Sequence, residues 1–542
     1  MPQSTAVAPV LSRMPAGSRL DALISASNAP ELVRSQPAEM LYATIQEVGL
    51  ADSAELVQLA SPEQFRTFVD LGGWKKDRID AAAVLTWLRA ARGEESEEFL
   101  EKVHAVDVEV LEVVLRQMTE VHDLRETPDI QPQGVVLESP EGHYLIDIKA
   151  DGADLAGLRQ LLNDWMAENP FEFGRFMEAL RWELPSELEE TAFRFRCARL
   201  EDLGFPPPEA AARLWSYIRP SAPLTSPTQP ALTVVSDGRW LEHAVQVLDE
   251  GERETLEQEL RYLVNTALVA EGAEPGVLED VRAVSERVRD TLSLGLEYLS
   301  GGDVSRAGQV LRVQTSQRVF QTGFSLTLEL KFEVDRWVRE PGVQVGKRLL
   351  LLPYESQVVA ALRRRKPLRA LKVEGAEPVP FRSLRELAEV RGVVQRARTQ
   401  ARFFSKWLGE KPADALAALG PAVGDQTPAE RLLHVLVARQ LAGLPLCAEP
   451  LPHARLGELA KALAAPSGSR LAALEAAFCE GVAPDDENEI RRMAQRALEV
   501  VSGALEGTAR TGKALDPVLV EGLIPLSASD EASHETGSLE PV

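Results

Sequence analysis

The chain has 542 residues, 45% hydrophobic and 26% charged, and its 83 Asp plus Glu against 59 Lys plus Arg give a formal net charge of −24. That length predicts several domains or one extended helical array, and the acidic balance argues against general binding to nucleic acid or to an anionic membrane. Cys197, Cys447 and Cys479 are far apart and make no Cys-x-x-Cys pair, no run approaches the roughly 18 apolar residues of a membrane span, and the first residues lack the basic and apolar regions of a secretory signal, so the expectation is a soluble, cytoplasmic chain with reduced thiols and no membrane insertion.

Residues 1–19 are rich in Pro, Ser and Ala and are expected as a disordered lead. From 20 to 130 the pattern predicts a domain of short helix pairs. PELVRSQPAEMLYATIQEVGL aligns with AELVQLASPEQFRTFVDLGGW, matching Leu32, Val33, Leu41 and Ile45 to Leu56, Val57, Phe65 and Val69. Ser61-Pro62-Glu63-Gln64 has the form of a capping box with Pro at the first helical position. A looser third copy starts at Glu98. Such a repeat predicts helix pairs stacked into a superhelix, each burying its apolar face on the next.

Residues 131–220 are expected to hold a β-hairpin and a four-helix core segment. Tyr144, Ile146 and Ile148 alternate with Leu145, Asp147 and Lys149 after a Ser-Pro-Glu-Gly turn, which predicts a hairpin over 135–149. Two strands alone are marginal in water, and Thr233-Val234-Val235 is the candidate third. Four helices follow, punctuated by Asn169-Pro170, Pro185-Ser186, Gly204 and Pro206-Pro207-Pro208. On the third, Leu188, Ala192 and Phe195 form one apolar face and Phe193, Cys197 and Leu200 another, which predicts a helix sandwiched in the core.

Residues 221–235 read as a Pro-rich linker, 236–411 as a helical domain with a basic segment, 412–525 as an Ala/Leu-rich helical domain and 526–542 as a disordered acidic tail. Within them, Ser325–Val334 alternates like a strand, yet Phe320, Phe324, Leu328 and Lys331 fit a helical stripe, and helix is the reading adopted. The fold class expected is mainly α: a multi-domain helical array of superhelical short-helix pairs with a small β-hairpin element.

RWELPSELEETAFRFRCARLEDLGF, from Arg181 to Phe205, resembles the signature segment of an uncharacterised family of large helical bacterial proteins. LYATIQEVG at Leu41 and LSLGLEYLSGGD at Leu292 are similar to its other recurrent blocks, so the resemblance covers most of residues 20–410. It implies a shared fold and no activity, substrate or catalytic residue.

Two charge clusters are the candidate sites. Trp182, Glu183, Arg194, Arg196 and Arg199 could form a pocket in which Glu183 acts as acid or base and the arginines bind an anion; the competing reading is helix-surface pairing such as Glu190 with Arg194. Residues 343–411 hold 16 Lys plus Arg against 6 Asp plus Glu, a local net of +10, so the remainder carries −34. Arg363, Arg364, Arg365, Lys366, Arg369 and Lys372 are the candidate anion-binding set, and pairing with the chain's own acidic residues is the alternative. Asp485, Asp486, Glu487 and Glu489 read as a helix start, since they lack the spacing of a calcium loop. GxSxG, GxxxxGK[ST], HExxH and paired CxxC are missing, so neither a metal site nor a cofactor is expected. The leading expectation is a non-catalytic scaffold or adaptor working through protein–protein contacts. The alternatives are an enzyme of unfamiliar type around Trp182, Glu183 and Arg194, and an anion or nucleic-acid binder through Arg363–Lys372.

Overall fold

The computed structural model describes residues 14–527 except 94–95, 128, 133, 223–239, 342, 346–347, 374, 410, 421–425 and 511–514, and gives the backbone alone for 506–510. The protein is mainly α-helical with small antiparallel sheets. Among the described residues its elements begin with α1 (Ala16–Ile24), whose first four residues fall in the stretch 1–19 expected as a disordered lead, followed by α2 (Ala29–Arg34), α3 (Ala38–Val48), α4 (Ala54–Leu59) and α5 (Pro62–Gly72). Strands β1 (Trp74–Lys75) and β2 (Arg78–Ile79) precede α6 (Ala81–Ala91), α7 (Ser96–Ala105) and α8 (Val108–Met118). Strands β3 (Thr119–Asp123), β4 (Val135–Glu138) and β5 (Tyr144–Ile148) lead to α9 (Gly152–Glu168), α10 (Pro170–Trp182), α11 (Pro185–Asp202) and α12 (Pro208–Ala211). Next come α13 (Trp240–Gln246), α14 (Glu250–Glu271), α15 (Leu278–Leu299), α16 (Val304–Val313) and α17 (Ser316–Val338). The hairpin β6 (Gln344–Val345) and β7 (Arg348–Leu349) is followed by α18 (Pro353–Leu362), α19 (Leu384–Trp407), α20 (Pro412–Ala418) and α21 (Pro428–Leu441). The last helices are α22 (Leu456–Ala464), α23 (Ser467–Cys479), α24 (Pro484–Arg510) and α25 (Pro517–Glu521). Two compact units result, neither a single run of chain: Met1–Ser216 with Leu248–Arg289 and Gln314–Arg318, and Tyr217–Val247 with Asp290–Val313 and Val319–Val542.

In the first unit, local signals place the helices. Ser61 accepts the N–H of Gln64 at 3.2 Å while Gln64 Oε1 accepts the N–H of Ser61 at 2.9 Å, so the reciprocal cap satisfies two of the end donors of α5. Gln64 Nε2 then reaches back to the carbonyl of Gln36 at 2.8 Å, tying α5 to the end of α2. Leu41, Ile45, Phe65, Val69, Val33, Val57 and Leu56, seven of the eight aligned positions, are buried. Tyr42, Phe68 and Trp87 cluster with ring centres 5.6–6.4 Å apart.

The hairpin of β4 and β5 forms as expected, with Leu137 opposite Ile146, and β5 is the central strand of three. Its other neighbour is β3, pairing Val121 with Ile146 and Asp123 with Tyr144. The third strand is therefore the direct continuation of α8; Thr233–Val235 lies outside the described residues, as does most of the 221–235 linker. Tyr144, Ile146 and Ile148 turn one face of β5 into the core, and Asp147, also buried, accepts the N–H of Gly134 at 2.9 Å.

Helix α11 departs from its expected packing. Its buried positions are Leu188, Ala192, Arg196 and Leu200, one stripe at i,i+4 spacing, and Phe195 is 48% exposed. Each i,i+4 step advances about 40° around the helix, so the stripe drifts from 192 to 196 and away from 195. Arg196 can hold a core position because backbone carbonyls receive its guanidinium. Phe195→Ala is accordingly expected to change stability by no more than about 0.5 kcal/mol, as for a surface substitution; a shift of several kcal/mol in urea titration would return Phe195 to the core.

In the second unit, α17 is a continuous helix through Ser325–Val334, so the helical reading of that segment holds. Thr322, Phe324, Ser325, Leu326, Thr327, Leu328 and Leu330 are all buried, and a helix buried on most sides carries apolar residues in registers that mimic a strand. It crosses α15 at glycines. A Cβ built on Gly295 would lie 2.1 Å from the carbonyl oxygen of Val319, and one on Gly323 would lie 2.1 Å from that of Thr291.

Beside this crossing, Glu297 accepts the N–H of Leu384, at the start of α19, at 2.7 Å. Burial pushes the Glu297 carboxyl from its ordinary 4.5 up to about 7. A raised carboxyl pKa contributes stability that is complete below about pH 4.5 and is lost as pH rises through about 7. Glu297→Gln keeps an acceptor for Leu384 and removes the charge. It should match the parent near pH 4 and exceed it by about 1–3 kcal/mol at pH 8, read from urea midpoints at the two pH values; equal midpoints at pH 8 would contradict the buried charge.

Candidate functional site

The charged residues singled out on α10 and α11 do not converge. Trp182 is 68% exposed, its indole N–H donates to Glu178 at 3.0 Å, and the Arg181 guanidinium sits 5.3 Å from its ring centre. Glu183 is exposed and its backbone carbonyl accepts from Arg116. Arg194 pairs with Glu190 one turn earlier, both exposed. Arg196 and Arg199 point inward instead. Arg196 Nε donates to the carbonyl of Asp70 at 2.7 Å, its Nη1 to that of Lys76 at 3.2 Å, and its guanidinium lies 5.0 Å from the Trp74 ring centre. Arg199 grips both oxygens of Asp70 at 2.7 and 2.8 Å and both of Asp107 at 3.0 and 2.7 Å. Burial raises the Asp70 pKa, opposed by the Arg199 hydrogen bonds. This network joins α11 to the end of α5, the β1–β2 turn and the start of α8. Its Asp70 and Asp107 carboxylates are spent on Arg199.

A second ionic knot, around Asp123, escaped the sequence reading. Asp123 accepts from Arg125 Nε at 2.9 Å, from Arg125 Nη2 at 2.6 Å and from Arg181 Nη1 at 2.9 Å. The Arg125 hydrogen bonds hold its carboxyl well below the usual range. Tyr144 donates to Glu178 at 2.6 Å. It ties β3 to α10 and the chain after β3.

The basic segment of the second unit is extensively paired within that unit. Arg363 lies 3.1 Å from Asp335 and Arg369 3.0 Å from Glu386. The carbonyl of Arg364 accepts from Lys331 at 2.8 Å, and the Lys372 ammonium stands 5.7 Å from the Tyr354 ring centre. On α19, Arg398 and Arg402 share Glu340 at 2.6 and 2.9 Å, and Arg396 lies 3.5 Å from Glu355. Arg364 and Arg365 are exposed and form no ion pair among the described residues, and Lys366 is half-buried.

An open groove of about 1280 Å³ lies in this unit, with Arg348 and Arg363 of the basic segment in its lining. It is built by β6–β7, α18, α20 and the first turn of α21. Pro353 opens α18 and the N–H of Leu352 before it is taken by Gln400 Oε1 at 3.1 Å, which anchors the groove wall to α19. Val345, Leu350, Leu351 and Val359 are buried beneath the wall. Ala360 and Ala417 are exposed on it. Helix α20, PADALAA, buries no residue at all, and its Ala413, Leu416 and Ala417 line the groove. Thr427 and Glu430 cap α21 reciprocally, at 3.3 and 2.8 Å. Among the described residues, the charged side chains lining the groove are those of Arg348 and Arg363, and Arg348 forms no ion pair among them. Ser356 and Thr427 are lining hydroxyls without a lining acid, histidine or cysteine beside them. This arrangement can bind by shape and apolar contact. Its described lining residues include no acid–base pair. The groove's sequence signals were the run Leu349–Leu352 ending in Pro353 and the small apolar helix over 412–418, neither of which identifies a site until the fold brings them together.

The chain belongs to a Family of unknown function (DUF6178), whose model matches residues 3–525. No curated protein and no solved structure matches it. Among the described residues, no helix is long and apolar enough to cross a membrane.

Proposed function

We propose that this member of a family without an assigned activity is a non-catalytic cytoplasmic scaffold or adaptor that holds a partner protein in the groove between α18 and α20. The observation that carries the reading is the groove itself: open, largely apolar, about 1280 Å³, and lined among the described residues by no carboxylate, imidazole or thiol. Recognition through apolar contact with a few polar groups at the edge is how protein-docking grooves work. The enzyme alternative draws no support from the geometry, since Trp182, Glu183 and Arg194 face solvent while Arg196 and Arg199 are engaged inside. The nucleic-acid alternative is weakened in the same way, because Arg363 and Arg369 already face Asp335 and Glu386.

The test is in-cell photocrosslinking. A photoreactive residue replacing Ser356 or Ala417, both exposed in the groove, is expected to give discrete protein adducts. The same residue at Val518, 78% exposed elsewhere in the unit, should not give them. Identical adduct patterns from all three positions would sink the docking reading.

A further inference from the structure

A buried acid of the first unit, outside both ionic knots, does not depend on the docking reading. We infer that Glu112 and Arg116 form a pH-sensitive latch on the corner between α10 and α11: Arg116 holds the corner while Glu112 is protonated and leaves it for the Glu112 carboxylate once that forms.

The corner is held by little. Residues 182–186 are all exposed. The N–H of Glu183 goes back to the carbonyl of Ala179 at 3.1 Å, and the carbonyl of Leu184 receives the N–H groups of Glu187 and Leu188 at 3.0 and 3.1 Å, so these bonds stay within α10 and α11. Among the described residues, the hydrogen bond that reaches 183–186 from another element is the one Arg116 of α8 donates to the Glu183 carbonyl. The tie rests on where one half-buried guanidinium points.

Its competitor lies one turn back on the same helix. Glu112 is 4% exposed, and among the described residues its carboxyl accepts no hydrogen bond and pairs with no cation. An acid at i and a base at i+4 is the favourable order for a pair on a helix, so Arg116 reaches either partner by rotating its own side chain. Serving the carbonyl is what a neutral Glu112 leaves it free to do. Burial, then the carboxylates of Glu183 and Glu109, push the Glu112 carboxyl from its ordinary 4.5 up to about 7 against the pull of Arg116. Charges on the other elements packed on α8 are engaged elsewhere: Arg89 with Asp154, Arg181 with Asp123, Arg199 with Asp70 and Asp107, Arg196 with backbone carbonyls and Glu120 with Lys149. Arg78 of β2 is exposed and His122 of β3 half-buried, and neither is among the charges acting on Glu112. A desolvated carboxylate left unpaired is costly, so ionisation draws Arg116 back to it. A raised folded pKa means stability lost as pH climbs through that value; the corner therefore loosens as pH rises and tightens as it falls.

Fluorine NMR of the full chain labelled with fluorotryptophan tests the latch. Trp182 sits at the corner, 68% exposed, and its resonance, one of eight, is identified by its loss in Trp182→Phe. Its indole partner Glu178 is held below the usual carboxylate range by hydrogen bonds from Tyr144 and from Trp182 itself, so Glu178 does not titrate in the same window. From about pH 4 to about pH 9 the parent resonance should shift in one step, with a midpoint above the ordinary 4.5 and no higher than about 7. Glu112→Gln is neutral at every pH and should hold the resonance at its acidic position throughout. Arg116→Gln removes the tie and should hold it at its alkaline position. Far-UV circular dichroism of both variants guards against loss of fold. A flat titration of the parent, or a step that persists in Glu112→Gln, would overturn the inference. A step unchanged in Arg116→Gln would also overturn it, because Glu112 would then act on the corner without Arg116.

Discussion

Gly323→Ala is expected to be among the most damaging single substitutions in the second unit, although it adds one methyl group and replaces the poorer helix former. The added Cβ would stand 2.1 Å from the carbonyl oxygen of Thr291 and 3.2 Å from the backbone carbon of the same residue. Backbone cannot rotate away as a flexible side chain can, so α15 and α17 must separate along their crossing. Around that crossing lie the buried hydroxyls of Ser293, Thr322, Ser325 and Thr327. Thr327 Oγ1 donates to the carbonyl of Phe324 at 2.7 Å, and separation would expose such groups to partial hydration while opening the apolar seam around Leu294, Leu326 and Leu330. Overpacking usually costs about 1–3 kcal/mol and more where the backbone must move, so about 3–5 kcal/mol is expected here. The intrinsic helix gain of roughly 1 kcal/mol for Gly to Ala offsets only part of that. Gly295→Ala should behave alike, with its Cβ 2.1 Å from the carbonyl of Val319. Gly392→Ala, where the nearest atom is the mobile Arg396 Nη1 at 3.9 Å, is the control and should be neutral or mildly stabilising. A denaturation profile unchanged for Gly323→Ala would mean the two helices cross with more space than the structure gives them.

Where a helix begins and ends was legible because the deciding chemistry is local. Ser61, Asn169, Pro185, Gly204 and Pro484 each act on backbone groups within a turn of themselves, and helices start or stop at those places. Strand β3 was not legible for the opposite reason. Thr119–Asp123 carries one aliphatic side chain among five residues, and it is a strand because β5 presents an unpaired edge beside it, a tertiary circumstance. Phe195 and Arg196 show a third kind of failure. Periodicity ranks side chains by hydropathy, so it placed Phe195 inside and left Arg196 off both apolar faces; the carbonyls of Asp70 and Lys76, more than a hundred residues earlier, reverse that order. The groove is the extreme case. Its wall draws on Gln344, Val345, the run Arg348 to Leu351, α18, α20 and the start of α21, and nothing in any one of those segments marks it as a site.

Arg199→Ala should be the corresponding lesion in the first unit. Four hydrogen bonds leave with the guanidinium, two to Asp70 and two to Asp107. Asp70 is 3% exposed, so its carboxylate would remain in the interior with Arg196 as its nearest cation, and Arg196 is committed to backbone carbonyls. Breaking a buried pair by removing one partner costs about 3–5 kcal/mol, because the charge left behind is desolvated and uncompensated. The pH dependence separates this cause from mere loss of packing. Burial already holds the Asp70 pKa above its ordinary 3.8, and the Arg199 hydrogen bonds pull it down; without Arg199 it must rise further. A carboxyl with a raised folded pKa contributes stability below its unfolded pKa and loses it as pH climbs through the folded value. The deficit of Arg199→Ala relative to the parent should therefore be small near pH 4 and grow towards pH 8. Adding Asp70→Asn to Arg199→Ala removes the stranded charge and should recover part of the loss at pH 8 and little at pH 4. Urea midpoints of the parent, the single and the double variant at both pH values read all of this. A deficit that stays constant with pH would show that Arg199 acts through packing of its stem, and that Asp70 finds another cation when it is gone.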